Sequence, residues 1–263
     1  MALSRIKVAE FLDKQNVGSV GRLPWFHSTS GMNLFDILNE RNLIAMPCTV
    51  FKGDKLTYFF VGRPAFKYHV DSDPPEWMLP LVFVFEFKKP PLIKRVYPFD
   101  SGAFSSKRMP DYIQTFNRER FLLGTSLKTV DKLISYYFED EKSYIVREPN
   151  SEKQLKRKHA MDMRHAEVMA LARLYNENTS TDLDDRAATV ELQVDHDIAL
   201  DDGNVIGVIV CQEWLRTPEV ERKLARITKN IITYSLYPNT MQGYFGVINE
   251  KVMELYQKLG RIR

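Results

Sequence analysis

Two cysteines, Cys48 and Cys211, are all that 263 residues contain. A disulfide framework and a cysteine-rich zinc site are therefore both excluded, and a reducing cytoplasm is the expected compartment. Long apolar runs are also missing. The longest, Trp77 to Phe85, is too short to cross a bilayer and carries Pro80, so it reads as a buried strand. The opening residues Met1-Ala2-Leu3-Ser4-Arg5-Ile6-Lys7 do not lead into the apolar stretch of a signal peptide, and no membrane association is expected. Three glycine signatures are absent as well. Without Gly-x-x-x-x-Gly-Lys, Gly-x-Gly-x-x-Gly or Gly-x-Ser-x-Gly, the usual nucleotide loops and the hydrolase nucleophile elbow are set aside. Neither an internal repeat nor a low-complexity linker divides the chain. Its net charge of +3 is too mild to demand or exclude nucleic acid as a partner.

What is present is ample apolar material, 44% hydrophobic, enough for a packed core. Leu34, Ile37 and Leu38 follow helical spacing in a helix that Ser30 or Asn33 would cap and that should end near Asn42. Leu56–Val61, Leu79–Phe87 and Leu92–Tyr97 are rich in aromatic and β-branched residues and read as strands. From about 110 to 178 the period turns helical: Leu127, Val130, Leu133, Ile134 and Tyr137 share one face after Thr125-Ser126, and Val168, Leu171, Ala172, Leu174 and Tyr175 share another. Strand character returns at Ala188–Val194 and Val205–Val210. Helices are expected again over about 218–263, at Pro218–Tyr234 and Asn249–Leu259. This order predicts a single α+β domain over 1–263 with a helical insertion, because strands on both sides of the insertion can share one sheet.

Charge is distributed unevenly. Lys153, Lys156, Arg157, Lys158, His159, Arg164 and His165 fall in one predicted basic helical stretch, and Asp182, Asp184, Asp185, Asp195, Asp197, Asp201 and Asp202 make the next segment acidic. Both runs are ordinary for solvated surface. His159, Asp162, His165 and Glu167 miss the His-Glu-x-x-His spacing, so no metal site is expected. The segment Tyr97-Pro98-Phe99-Asp100-Ser101-Gly102-Ala103-Phe104 reads as a punctuated loop, either a turn closed by an Asx bond or a substrate loop formed by Asp100 and Ser101.

Three segments taken in order carry the chemistry: Pro24-Trp25-Phe26-His27-Ser28-Thr29-Ser30 running into the Asn33 helix, Leu56-Thr57-Tyr58-Phe59-Phe60-Val61-Gly62-Arg63-Pro64, and Thr189-Val190-Glu191-Leu192-Gln193-Val194. Together they resemble the split active site of the ADP-ribosyltransferases of the diphtheria-toxin and poly-ADP-ribose polymerase type. The second segment is also similar in outline to the DarT toxins, which modify single-stranded DNA. The resemblance implies a split β-sheet core and NAD as co-substrate. By position, His27 matches the histidine that binds the NAD ribose, with Ser28 and Thr29 beside it. Tyr58 matches the aromatic that stacks on nicotinamide, and Glu191 the carboxylate that acts on the ribose. Arg63 becomes a contact for NAD phosphate or substrate, and Arg186 falls in the acceptor-recognition loop. Thr189 stands where the arginine-modifying branch has Glu or Gln, so arginine is not expected as the acceptor.

Breaking a nicotinamide–ribose bond develops oxocarbenium character, which calls for a carboxylate, polar sugar contacts and an aromatic surface. These residues are of those types. The expected function is a toxin-like or phage-defence mono-ADP-ribosyltransferase. Its acceptor would be RNA or single-stranded DNA, docked on Lys153, Lys156, Arg157 and Lys158, with an antitoxin protein as a possible partner. Transfer to protein, an inactive nucleic-acid-binding module, and a nuclease using His27 and Glu191 are the alternatives.

Overall fold

The aromatic and β-branched runs do form strands. The computed structural model describes residues 4–16, 18, 23–66, 73–177, 185–200, 203–237 and 240–262. Asp182, Asp184, Asp201 and Asp202 of the acidic segment, and Asn178 at the end of the expected insertion, lie outside them. The architecture is mixed α+β, and backbone contacts divide it into two units.

One unit comprises Pro24–Leu92, Ser180–Asp185 and Val194–Arg263. At its centre is the strand Pro80–Phe85, whose six residues are all buried. It pairs antiparallel with Trp25–Ser30 on one side (His27 opposite Phe83) and with Val205–Cys211 on the other. A strand flanked on both edges and covered on both faces must be apolar throughout, which explains the unbroken run. Pro80 opens the strand, a position that tolerates a residue without an N–H. Trp25–Ser30 also pairs with Lys55–Val61, and Val205–Cys211 pairs in parallel with Ile231–Tyr234. Strands from either side of the helical stretch thus share this sheet, as the pattern suggested.

Several expected boundaries move. Neither Ser30 nor Asn33 caps the helix Leu34–Glu40 with its side chain, because a 3-10 turn at Gly31–Asn33 intervenes. Asn33 Nδ2 donates instead to Thr29 Oγ1 at 2.6 Å. The helix stops at Arg41, which takes a left-handed φ of 50°. Gly31 is required where it stands: a Cβ there would sit 2.3 Å from the Trp214 ring. The expected helix Pro218–Tyr234 is a helix over Pro218–Ile227 and a strand over Ile231–Tyr234. Ile231, Ile232 and Thr233 are β-branched, and pairing with Val208–Cys211 decides the matter. The last helix begins earlier than expected, running Met241–Lys258 from a Thr240 cap.

The other unit comprises Met1–Leu23, Ile93–Thr179 and Arg186–Gln193. Its helices include Leu127–Tyr137, capped by Ser126 and burying Val130, Leu133, Ile134 and Tyr137, and Ala166–Asn176, burying Val168, Leu171, Ala172, Leu174 and Tyr175. The predicted basic stretch is not one helix. Glu152–Lys158 ends, Ala160 takes a φ of 45°, and Asp162 caps a 3-10 turn before Ala166 restarts the helix. Arg95–Tyr97 and Glu191–Val194 pair antiparallel, shorter than the runs from Leu92 and Ala188 suggested. Among the described residues, no helix is long and apolar enough to cross a membrane.

Candidate active site

Glu191 begins its strand, and its neighbours Val190 and Leu192 are fully buried. Alternation turns Glu191 and Gln193 to one face of the strand, opposite Tyr97 and Arg95 respectively. That face is not solvent. Glu191 is 1% exposed and Gln193 0%. The strand entry is held from the helical segment, where the Tyr144 hydroxyl accepts the Val190 N–H at 3.0 Å.

Three donors converge on the Glu191 carboxyl. Ser101 Oγ donates to Oε1 at 2.7 Å, Gln193 Nε2 donates to the same oxygen at 2.6 Å, and the Ser101 backbone N–H donates to Oε2 at 3.0 Å. Gln193 Nε2 also donates to Ser101 Oγ at 3.1 Å, closing a triangle. These bonds favour the ionised form, but burial opposes them more strongly, and the nearby Asp100 carboxyl adds like-charge repulsion. The balance pushes Glu191 up to about 8.

No described cation pairs with Glu191. The same unit shows the usual alternative: Glu167, fully buried, receives Arg120 Nε at 2.7 Å and lies 3.6 Å from Arg5. A buried structural carboxylate is normally neutralised in this way, and one held by neutral donors beside another acid is a destabilising arrangement to retain.

The expected loop at Tyr97–Phe104 is ordered differently. Asp100 accepts the Ala103 N–H at 2.8 Å and caps a helix over Ser101–Ser105, so this stretch is helical where a loop was expected. Asp100 and Ser101 are buried, and Ser101 serves Glu191 directly instead of forming an open substrate loop. Arg186 is buried too, and its carbonyl accepts the Asp100 N–H at 2.9 Å, which ties this corner to the turn before the Glu191 strand.

In the other unit, His27 Nδ1 lies 2.9 Å from the Tyr58 carbonyl oxygen. A carbonyl can only accept, so Nδ1 carries the hydrogen and Nε2 keeps its lone pair. Burial lowers the affinity of the ring for a second proton, leaving it neutral. Tyr58 therefore holds His27 through its backbone. Its side chain does not share the His27 face: strand alternation sets His27 with Phe59, their rings 5.9 Å apart, and turns Tyr58 the other way, where its hydroxyl lies 2.8 Å from Cys48 Sγ. Ser28 alternates away from His27 as well, and its buried Oγ has no hydrogen-bond partner among the described residues. Thr29 returns to the His27 face. Arg63 is buried just after Gly62, which takes a φ of 73° as the chain leaves the strand.

Lys153, Lys156, Arg157 and Lys158 are all exposed on the short helix Glu152–Lys158, which buries only Leu155. Sequence reading missed Gln193, although its place two residues after Glu191 on a strand was the available signal. No family model matches the chain, and no curated protein or solved structure matches it either.

Proposed function

We propose that the chain is an NAD-dependent mono-ADP-ribosyltransferase with an ADP-ribosyltransferase-like core, acting on a nucleic-acid acceptor. The observation that carries the reading is Glu191, a buried carboxyl gripped by Ser101 and Gln193 and forming no ion pair with a described cation. Ionised, such a group has unused capacity to stabilise positive charge. In the proposed reaction the bond from ribose C1′ to the nicotinamide nitrogen breaks, and nicotinamide leaves with the bonding pair. The ribose carries oxocarbenium character until an acceptor oxygen or nitrogen bonds to C1′ and loses its proton. A carboxylate that meets positive charge only in that transition state lowers the barrier without tightening ground-state binding.

His27 fits the role of sugar contact: neutral, with Nε2 free to accept a hydrogen bond from a ribose hydroxyl. Tyr58 holds His27 through its carbonyl, and its ring, turned to the opposite face of the strand, is not the surface that stacks on nicotinamide. The four exposed cations of Glu152–Lys158 suit a phosphate backbone, which favours nucleic acid over protein as the acceptor.

The test is incubation of purified protein with NAD labelled in its adenylate moiety and separate pools of RNA, single-stranded DNA and protein. Label should pass to a nucleic-acid pool with the wild type and not with Glu191→Gln. No nicotinamide release in any pool would refute the enzyme. Label on protein alone would refute the acceptor.

A further inference from the structure

Glu191 has two oxygens, and the protein treats them differently. Oε1 is occupied twice, by Ser101 Oγ and by Gln193 Nε2, whereas Oε2 takes only the Ser101 N–H. A carboxylate oxygen offers about two acceptor sites, so Oε1 is filled and Oε2 retains one. Gln193 makes this difference at a cost. Its amide nitrogen is shared between Glu191 Oε1 and Ser101 Oγ, while its own Oε1 is buried without a hydrogen-bond partner among the described residues. An amide kept only to fill space would be expected to satisfy both ends, because an unpartnered buried acceptor is destabilising. Its backbone is pinned as well, since the Gln193 carbonyl accepts the Lys94 N–H at 2.7 Å.

We propose that Gln193 is a positioning residue which, with Ser101, locks the Glu191 carboxyl so that Oε2 is the oxygen presented to the ribose. The proposal rests on the reading of Glu191 as the reacting carboxylate. The charged group acting on this carboxyl is Asp100, from the segment packed against it, while Tyr97 and Arg95 are the cross-strand partners of Glu191 and Gln193. The filled oxygen accepts from Ser101 Oγ and Gln193 Nε2, so the asymmetry between the two oxygens belongs to those two residues.

The experiment compares wild type, Gln193→Met and Gln193→Glu by carbon-13 titration of the Glu side-chain carboxyls, the Glu191 signal being assigned by its loss in Glu191→Gln. The methionine variant removes a donor to the ionised form and should raise the Glu191 midpoint by about one pKa unit or more. Gln193→Glu keeps the shape, places a second acid beside the first and should raise the midpoint further. For NAD turnover at pH 7, kcat should fall about tenfold per unit of midpoint shift while KM for NAD stays within about twofold. The fall should shrink as pH rises past the new midpoint. An unchanged midpoint in Gln193→Met, or a loss of kcat that does not recover at high pH, would overturn the proposal. If Gln193→Met does not fold, Gln193→Glu and Ser101→Ala give the same two readouts. A wild type that titrates as described but never consumes NAD would sink the proposed function and leave the clamp standing.

Discussion

Replacing Glu191 by glutamine should change how stability depends on pH, and the effect is large enough to measure without any knowledge of substrate. In the folded chain the carboxyl is pushed from its ordinary 4.5 to about 8 by burial and by Asp100. The native state therefore binds this proton more tightly than the unfolded chain does. The resulting stabilisation is fully present below about 4.5 and is lost as pH rises through about 8. At about 1.4 kcal/mol per pKa unit, the whole transition is worth on the order of 5 kcal/mol, a large share of the 5–15 kcal/mol that holds an ordinary protein folded. Glutamine cannot titrate, so Glu191→Gln lacks this slope whatever constant offset its own hydrogen bonds introduce. Urea unfolding of both proteins at intervals from pH 4.5 to 9 is the assay. Relative to the variant, wild type should lose stability steadily between about pH 5 and 8, and its midpoint of thermal unfolding should fall by about 10 °C or more. Parallel curves across that range would refute the reasoning, since they would mean that the carboxyl is ionised at little cost and is an ordinary buried acid.

Three further outcomes follow from the geometry. His27→Ala should raise KM for NAD as well as lower kcat, about tenfold in kcat/KM, because a sugar hydrogen bond acts in ground and transition states alike; unchanged kinetics per folded molecule would make His27 a core residue. Tyr58→Phe should leave kcat/KM for NAD within about twofold, because the carbonyl that holds His27 is untouched while the hydroxyl contact to Cys48 is lost; a drop of about a hundredfold would restore the stacking role. Changing Lys153, Lys156, Arg157 and Lys158 together to glutamine should weaken the nucleic-acid acceptor and flatten its salt dependence, by roughly 0.7 of a counterion per lost contact to a single strand, with acceptor-free NAD hydrolysis unchanged; identical salt series for the two proteins would dismiss this helix as the docking surface.

The elements whose period and composition agreed were legible in the chain alone: the buried strand at Pro80–Phe85, the helices at Leu127–Tyr137 and Ala166–Asn176, and the α+β class that their order implies. His27 and Glu191 became candidates through the resemblance carried by three ordered segments, which residue type alone would not have supplied. What the sequence could not decide is which way a side chain faces and what meets it. Period 2 put His27 and Tyr58 thirty-one residues apart on neighbouring strands, but only the pairing of Trp25 with Val61 and Phe26 with Phe60 turns their side chains to opposite faces. Ile231–Tyr234 had helical neighbours and became a strand because an open edge at Val208–Cys211 accepted its hydrogen bonds. The grip on Glu191 joins Ser101 to a residue ninety positions later, and its protonation follows from that enclosure. Local composition reports backbone preference; burial, register and long-range hydrogen bonds exist only once the chain has closed on itself.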